Sequence, residues 1–208
     1  MEVIRSAELI RGKRKIEFES GWTVWLSRHL DPGFVLKAGT EVDRSSFEKF
    51  ILLHQYPSAL EQAVALLALR SRSRLEIERK LRQYRYDEEV IQLVLFKLEN
   101  EKLLNDEEFS FQWVESRSKK TGKIRLANEL RLKGVGLETI RNVLESGTEE
   151  EELEHAVALA EKKIRSSRNS RDDQKLFQYV TSFLMRRGFS WSIAKKACEK
   201  ALGQNGSE

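Results

Sequence analysis

A single cysteine, Cys198, and two prolines in 208 residues remove several possibilities at once. One thiol forms neither an intrachain disulfide nor a thiolate-clustered zinc site. Histidine is also scarce: His29, His54 and His155 are scattered, without the spacing that metal ligands show. No apolar run approaches the roughly 18 residues that a membrane span needs. The N-terminal MEVIRSAELIRGKRK lacks the apolar stretch of a signal peptide. A dominant charge is missing too, since 37 basic against 33 acidic side chains leave only +4. These absences predict a soluble cytoplasmic chain with no membrane segment.

What is abundant is helix-forming residues, Leu, Glu, Lys, Arg and Ala, at 40% hydrophobic and 34% charged composition. The first 26 residues read differently. Ile16 to Leu26 alternates apolar and polar residues on both sides of Ser20-Gly21, a hairpin signal, and Val3 to Ile10 supplies a third strand. Trp22 and Trp25 are expected to pack this small sheet. Asp31-Pro32-Gly33 and Lys37-Ala38-Gly39-Thr40 read as turns. From residue 45 onward, Ser45-x-x-Glu48, Ser58-x-x-Glu61, Ser73-x-x-Glu76, Asn105-x-x-Glu108 and Thr148-x-x-Glu151 have the form of helix-starting capping boxes. Pro57 is expected to end one helix just before the next begins.

The helical part repeats. Leu81-Arg-Gln-Tyr-Arg-Tyr86, Leu130-Arg-Leu-Lys-Gly-Val135 and Leu184-Met-Arg-Arg-Gly-Phe189 share one pattern: leucine, basic residues, a turn position, an apolar residue. Their leucines lie 49 and 54 positions apart, room for three helices per unit. Gly134 and Gly188 sit where a helix end wants a left-handed residue, and Arg85 departs from them. The expected fold is mainly α: tandem three-helix repeats in an elongated curved array, with a small N-terminal antiparallel sheet. The predicted segments are a β-rich extension with a short helix at 1–55, then repeats at 56–104, 105–147 and 148–208. The third repeat carries an insertion at 166–171 and a flexible tail.

No constellation here promises catalysis, a cofactor or a metal. Thr121-Gly122-Lys123 lacks the upstream glycine and following hydroxyl of a phosphate loop. Cys198 falls on the apolar face of the last helix and reads as a packed thiol. Glu149 to Glu152 opens a helix, where carboxylates suit the dipole. The charge map is more informative. Segments 1–55, 56–104, 105–147 and 148–208 each net +1, yet basic residues cluster within 70–85, 117–133 and 162–196. Solvated helix faces laced by i,i+4 pairs would explain one cluster; three in register suit a polyanion or an acidic protein groove equally well.

Ala65-Leu-Leu-Ala-Leu-Arg-Ser-Arg-Ser-Arg-Leu-Glu-Ile-Glu-Arg-Lys-Leu81 resembles the first-repeat signature of RecX, the bacterial regulator of RecA. Leu103-Leu-Asn-Asp-Glu-Glu-Phe109, Val114-Glu-Ser-Arg117 and Leu130-Arg-Leu-Lys-Gly134 are similar to that family's second repeat, and Leu184 to Phe189 to its third. Their order and spacing carry the resemblance, while residues 1–55 resemble a variable N-terminal extension. It implies a non-enzymatic modulator that binds in the groove of the RecA–single-stranded-DNA filament and hinders ATP hydrolysis and strand exchange; the chain is expected to act as a monomer. The contacting residues would be Arg72, Arg74, Arg79 and Arg82; Lys119, Lys120, Lys123, Arg125, Arg131 and Lys133; and Arg186 and Arg187, acting by electrostatic positioning. Two rival readings are a DNA-binding helical repeat independent of RecA, and a scaffold whose basic surface meets an acidic protein.

Overall fold

The computed structural model describes residues 1–27, 36–167 and 173–204. His29, the Asp31-Pro32-Gly33 turn, Arg168 and Arg171 of the insertion, and the last four residues of the tail lie outside them. The chain forms two compact units, Met1–Asn105 and Asp106–Glu208.

In the first unit, β1 (Glu2–Ile10), β2 (Lys13–Phe18), β3 (Thr23–Ser27) and β4 (Glu41–Val42) make an antiparallel sheet in the order β3-β2-β1-β4. The alternation seen in sequence sets its faces, with Ile16, Phe18, Val24 and Leu26 all buried. Gly21, at φ 88°, turns the β2–β3 hairpin, and the Phe18 amide donates to the Trp22 carbonyl at 2.9 Å. Trp22 stacks on Phe18 at 4.6 Å between ring centroids and meets Phe47 edge-on at 5.7 Å. Trp22 thus packs on the sheet as expected, and the same rings join the sheet to α1. The short β4 was not foreseen, being too brief to leave a pattern.

Helix α1 (Arg44–Leu69) corrects two expectations. Asp43, not Ser45, caps it, accepting from the Ser46 amide at 2.8 Å. Nor does Pro57 end a helix, for α1 runs through it. Proline removes one helical hydrogen bond, but Leu53 and Pro57 are both exposed, so the helix loses that bond on its solvent-facing side. Ser58 caps nothing; its hydroxyl meets the Tyr86 hydroxyl at 2.9 Å. Buried Gln55 completes the attachment of the sheet. Its amide donates to the Trp25 carbonyl at 2.9 Å and its oxygen accepts from the Asp87 amide at 2.8 Å.

Helices α2 (Arg74–Gln83) and α3 (Glu88–Asn100) complete the first three-helix group, α1 and α2 both packing on α3. The second unit holds α4 (Asp106–Arg117), α5 (Lys123–Leu132) and α6 (Leu137–Glu145), then α7 (Glu149–Arg165), α8 (Asp173–Arg186) and α9 (Trp191–Gln204). Ser73 caps α2, and Thr148 with Glu151 forms a reciprocal capping box on α7. The third group is the tightest: Ala156, Ala160, Ala194, Ala197 and Ala201 are fully buried, so α7 and α9 approach closely. Cys198 lies among them, and burial pushes its thiol pKa up.

One turn recurs in all three groups. The amides of Tyr86, Val135 and Phe189 donate to the carbonyls of Leu81, Leu130 and Leu184, each at 3.2 Å. The residue before each is left-handed: Arg85 at φ 65°, Gly134 at 82° and Gly188 at 90°. This is the Schellman arrangement, which satisfies helix-end carbonyls. Arg85 thus adopts the same turn at a cost of about 1–2 kcal/mol for a side-chain-bearing residue. Its guanidinium stands 5.3 Å over the Trp25 ring, and a contact of that kind returns about 0.5–1 kcal/mol.

Gly188 has a second constraint. A Cβ there would lie 2.2 Å from the Arg125 Cβ and 2.6 Å from its amide nitrogen, and one at Gly122 would lie 2.4 Å from Gly188 backbone atoms. Backbone hydrogen bonds hold the contact: Gly122 N–H to the Arg187 carbonyl at 3.0 Å, and Ile124 N–H to the Gly188 carbonyl at 3.1 Å. Gly12 is also left-handed, at φ 79°, but an added Cβ there meets nothing within 4 Å. Gly12→Ala should therefore cost only the conformational term, about 1 kcal/mol. Gly188→Ala should cost more than about 3 kcal/mol, because backbone must shift. Thermal unfolding of the two variants checks the difference; equal losses would contradict the close approach.

Candidate nucleic-acid interface

The first basic cluster is largely neutralised within its own domain. Arg74 donates to Glu99 at 2.8 Å and to Gln92 at 2.9 Å, and lies 3.7 Å from Glu78. Arg82 grips Glu88 through two hydrogen bonds of 2.8 and 2.9 Å, and Glu78 at 2.6 Å. Hydrogen bonding to Arg82 holds the Glu88 carboxyl below its ordinary pKa. Arg72 points inward, its Nε donating to the Leu66 carbonyl at 3.0 Å, where it closes the end of α1. Arg79 alone of the four is exposed with no partner among the described residues. The cause is local: α2 carries Glu78 four residues from both Arg74 and Arg82, and α3 faces it with Glu88 and Glu99.

The second cluster divides. Lys123 ties the start of α5 to the α6–α7 turn, its ammonium donating to the Gly147 carbonyl at 2.6 Å and its amide to Glu152 at 3.0 Å. Arg125 pairs with Glu129 at 3.1 Å, and Arg131 reaches Asn128 at 3.3 Å. Trp113 organises its own corner: Arg117 stands 3.9 Å and Lys133 4.8 Å from the ring centroid, and the indole N–H donates to Glu129 at 3.2 Å. Lys119 and Lys120 are exposed on the α4–α5 connection, with no carboxylate partner among the described residues.

In the third cluster Arg186 is exposed and without a partner among the described residues. Arg187 turns back: its Nη1 donates to the Lys120 carbonyl at 3.2 Å and its guanidinium lies 5.0 Å from the Phe183 centroid. That contact brings Lys120 and Arg187 beside Lys162 and Lys163 of α7. In sequence those two lysines belong to the third cluster without standing out from it. No local signal joins positions 120, 162 and 187; the glycine contact does.

Three domain families match the chain: RecX, first three-helix domain, over residues 59–98; RecX, second three-helix domain, over 105–144; and RecX, third three-helix domain, over 149–198. The chain is also 35% identical over 158 residues to "Regulatory protein RecX" of Mycobacterium avium (strain 104), covering 73% of this chain and 90% of that one. This chain belongs to the RecX family. A second relative of that name, from Amycolatopsis mediterranei (strain U-32), is 34% identical across 74% of this chain and 89% of its own. A solved structure described as a regulatory protein RecX superposes with a TM-score of 0.65 at 25% identity, covering 93% of this chain and 97% of that one. RecX from Lactobacillus salivarius shares the fold, with a TM-score of 0.65 over 70% of this chain and 96% of that one at 23% identity. The matched RecX domains correspond to the three helical groups, and α1 supplies the first helix of the first while starting back at Arg44. No helix is long and apolar enough to cross a membrane among the described residues.

The twelve cations proposed as a contact face therefore include both fasteners and open charges. Lys123→Ala should lower stability by about 1 kcal/mol, the size of one partly buried hydrogen bond. Arg79→Ala, Lys119→Ala and Arg186→Ala should each change it by less than about 0.5 kcal/mol. Urea unfolding monitored by circular dichroism separates the groups, and a destabilisation at Lys119 or Arg186 equal to that at Lys123 would contradict the division.

Proposed function

We propose that this protein is a non-enzymatic regulator of homologous recombination and DNA repair that binds the RecA–single-stranded-DNA filament and inhibits RecA ATP hydrolysis and strand exchange. The observation carrying this reading is the match to all three RecX three-helix domains in order, with relatives named as regulatory proteins aligned over about nine-tenths of their length. The surface chemistry supports it. A filament groove is a polyanionic surface, and unpaired cations meet it without first breaking internal ion pairs.

The candidate residues rank accordingly. Lys119, Lys120 and Arg186 are the readiest to engage, because no carboxylate among the described residues neutralises them; Arg79 is as open but stands on α2 between the ion-paired Arg74 and Arg82. Arg74, Arg82 and Arg125 would have to give up carboxylates, so they serve the fold first. The protein would work as a monomer, without cofactor, in the compartment where RecA works.

RecA ATPase on single-stranded DNA, with this protein titrated in, tests the proposal. Stoichiometric amounts should suppress hydrolysis, and the Lys119→Glu/Arg186→Glu variant should need about tenfold more protein, since reversed charges repel the same surface. No effect at stoichiometric amounts would reject the reading. Binding to nuclease-treated acidic partners in place of the filament would favour the scaffold alternative.

A further inference from the structure

Four cations of the second unit line one cavity of about 440 Å3: Lys120 from the α4–α5 connection, Lys162 and Lys163 from the end of α7, and Arg187 from the end of α8, over a floor of Leu159 and Phe183. No carboxylate is among its described lining residues. In the first unit, by contrast, Arg74 and Arg82 are paired to glutamates.

Helix-end compensation does not account for this charge. Cations do gather at helix C-termini, and α7 and α8 both end here. Two such ends carry together about one negative charge, which leaves about three of four positive charges unmatched. The end carbonyls are moreover already satisfied. Those of Lys162, Lys163 and Ile164 accept from the Ser166 amide, the Ser166 hydroxyl and the Ser167 amide, at 3.3, 2.9 and 2.9 Å. Those of Phe183, Leu184 and Met185 accept from Arg187, Phe189 and Gly188, at 3.2, 3.2 and 2.9 Å.

Two of the four cations, Lys163 and Arg187, are instead held by rings, and Arg187 also by the Lys120 carbonyl. Lys163 stands 4.9 Å from the Tyr179 centroid and 5.3 Å from that of Phe183, and the Arg187 guanidinium stands 5.0 Å from Phe183. Aromatic rings place a cation without neutralising it, so the pocket stays charged and preorganised for an anion. A free inorganic anion, hydrated on all sides, gains nothing from Leu159 and Phe183. A nucleotide unit uses both parts, its phosphates on the cationic rim and its base against the apolar floor. The volume is that of a small-ligand site, about 300–1,000 Å3. Only a strand with unstacked bases presents a base this way.

We propose that this cavity is a single-stranded nucleic-acid site, taking a nucleotide of the strand with its phosphates on Lys120, Lys162, Lys163 and Arg187 and its base over Phe183. It reads nucleic acid directly, so it stands whether or not RecA is the partner.

Fluorescence anisotropy of a labelled oligo(dT) with the full-length protein, in the absence of RecA, tests it. Wild type should bind with a salt-dependent affinity. Lys162→Gln/Lys163→Gln should weaken binding at least tenfold and lower the slope of log affinity against log salt by about 1.4, roughly 0.7 for each phosphate no longer neutralised. Phe183→Leu should weaken binding about five- to hundredfold with the slope unchanged, the range for removing one base stack. The charge-matched Lys195→Gln/Lys200→Gln should bind like wild type. Circular dichroism of each variant verifies the fold, and the lysine pair, lying on the surface, keeps the test valid if Phe183→Leu unfolds. Unchanged binding by Lys162→Gln/Lys163→Gln would overturn the proposal. So would equal affinity for a duplex of the same length, equal competition by poly-glutamate, or displacement by dTMP at matched phosphate concentration, which would make this a free-nucleotide site. RecA ATPase plays no part in these readouts, so their failure is distinct from failure of the regulatory reading.

Discussion

The second unit depends on two backbones touching at a pair of glycines. Gly122 precedes α5 and Gly188 ends the α8 turn, and hydrogen bonds from Gly122 to Arg187 and from Ile124 to Gly188 lock them together. A single Cβ at either position would sit inside 2.5 Å of the other strand of chain. From this contact follow the placement of Lys120 under Arg187, the register of α5 against the third helical group, and the anchoring of Lys123 on Gly147 and Glu152. It also explains why Lys120 and Arg187, 67 positions apart, share a site with the end of α7.

Much of the architecture was legible in sequence because it is written locally. Period-two alternation around Ser20-Gly21 gives the hairpin, and the Thr148 and Ser73 caps mark real helix starts. The three-fold Leu-to-apolar pattern identifies a turn that all three groups make with the same 3.2 Å hydrogen bond, even where Arg85 stands for glycine. Local rules also misled. Proline usually stops a helix, yet Pro57 sits inside α1, since its missing hydrogen bond falls on the wet side. Ser45 and Ser58 have capping-box spacing, but Asp43 lies two residues ahead of Ser45 and takes the cap.

The site was legible only in part, for a physical reason. Sequence counts charges, whereas function depends on which charges remain unpaired after folding. Arg74 and Arg82 were among the candidate contacts of the first basic cluster, and folding gave them Glu78, Glu88 and Glu99. Lys162 and Lys163 belonged to the third basic cluster without standing out from it, and folding set them beside Lys120 and Arg187 with no carboxylate among the described lining residues. Pairings of the first kind come from i,i+4 spacing and are partly readable; gatherings of the second kind come from long-range contacts and are not. The near-zero net charge thus conceals one neutralised cluster and one open one.

In the function we propose, this member of the RecX family meets the RecA filament through open cations of its second and third helical domains. Hydrogen–deuterium exchange of the protein, alone and with RecA assembled on single-stranded DNA, tests it most directly. Exchange should slow along the α4–α5 connection, the end of α7 and the α8–α9 turn, with the α2 and α3 faces little changed. Protection confined to α2, α3 and the N-terminal sheet, or none anywhere, would contradict it.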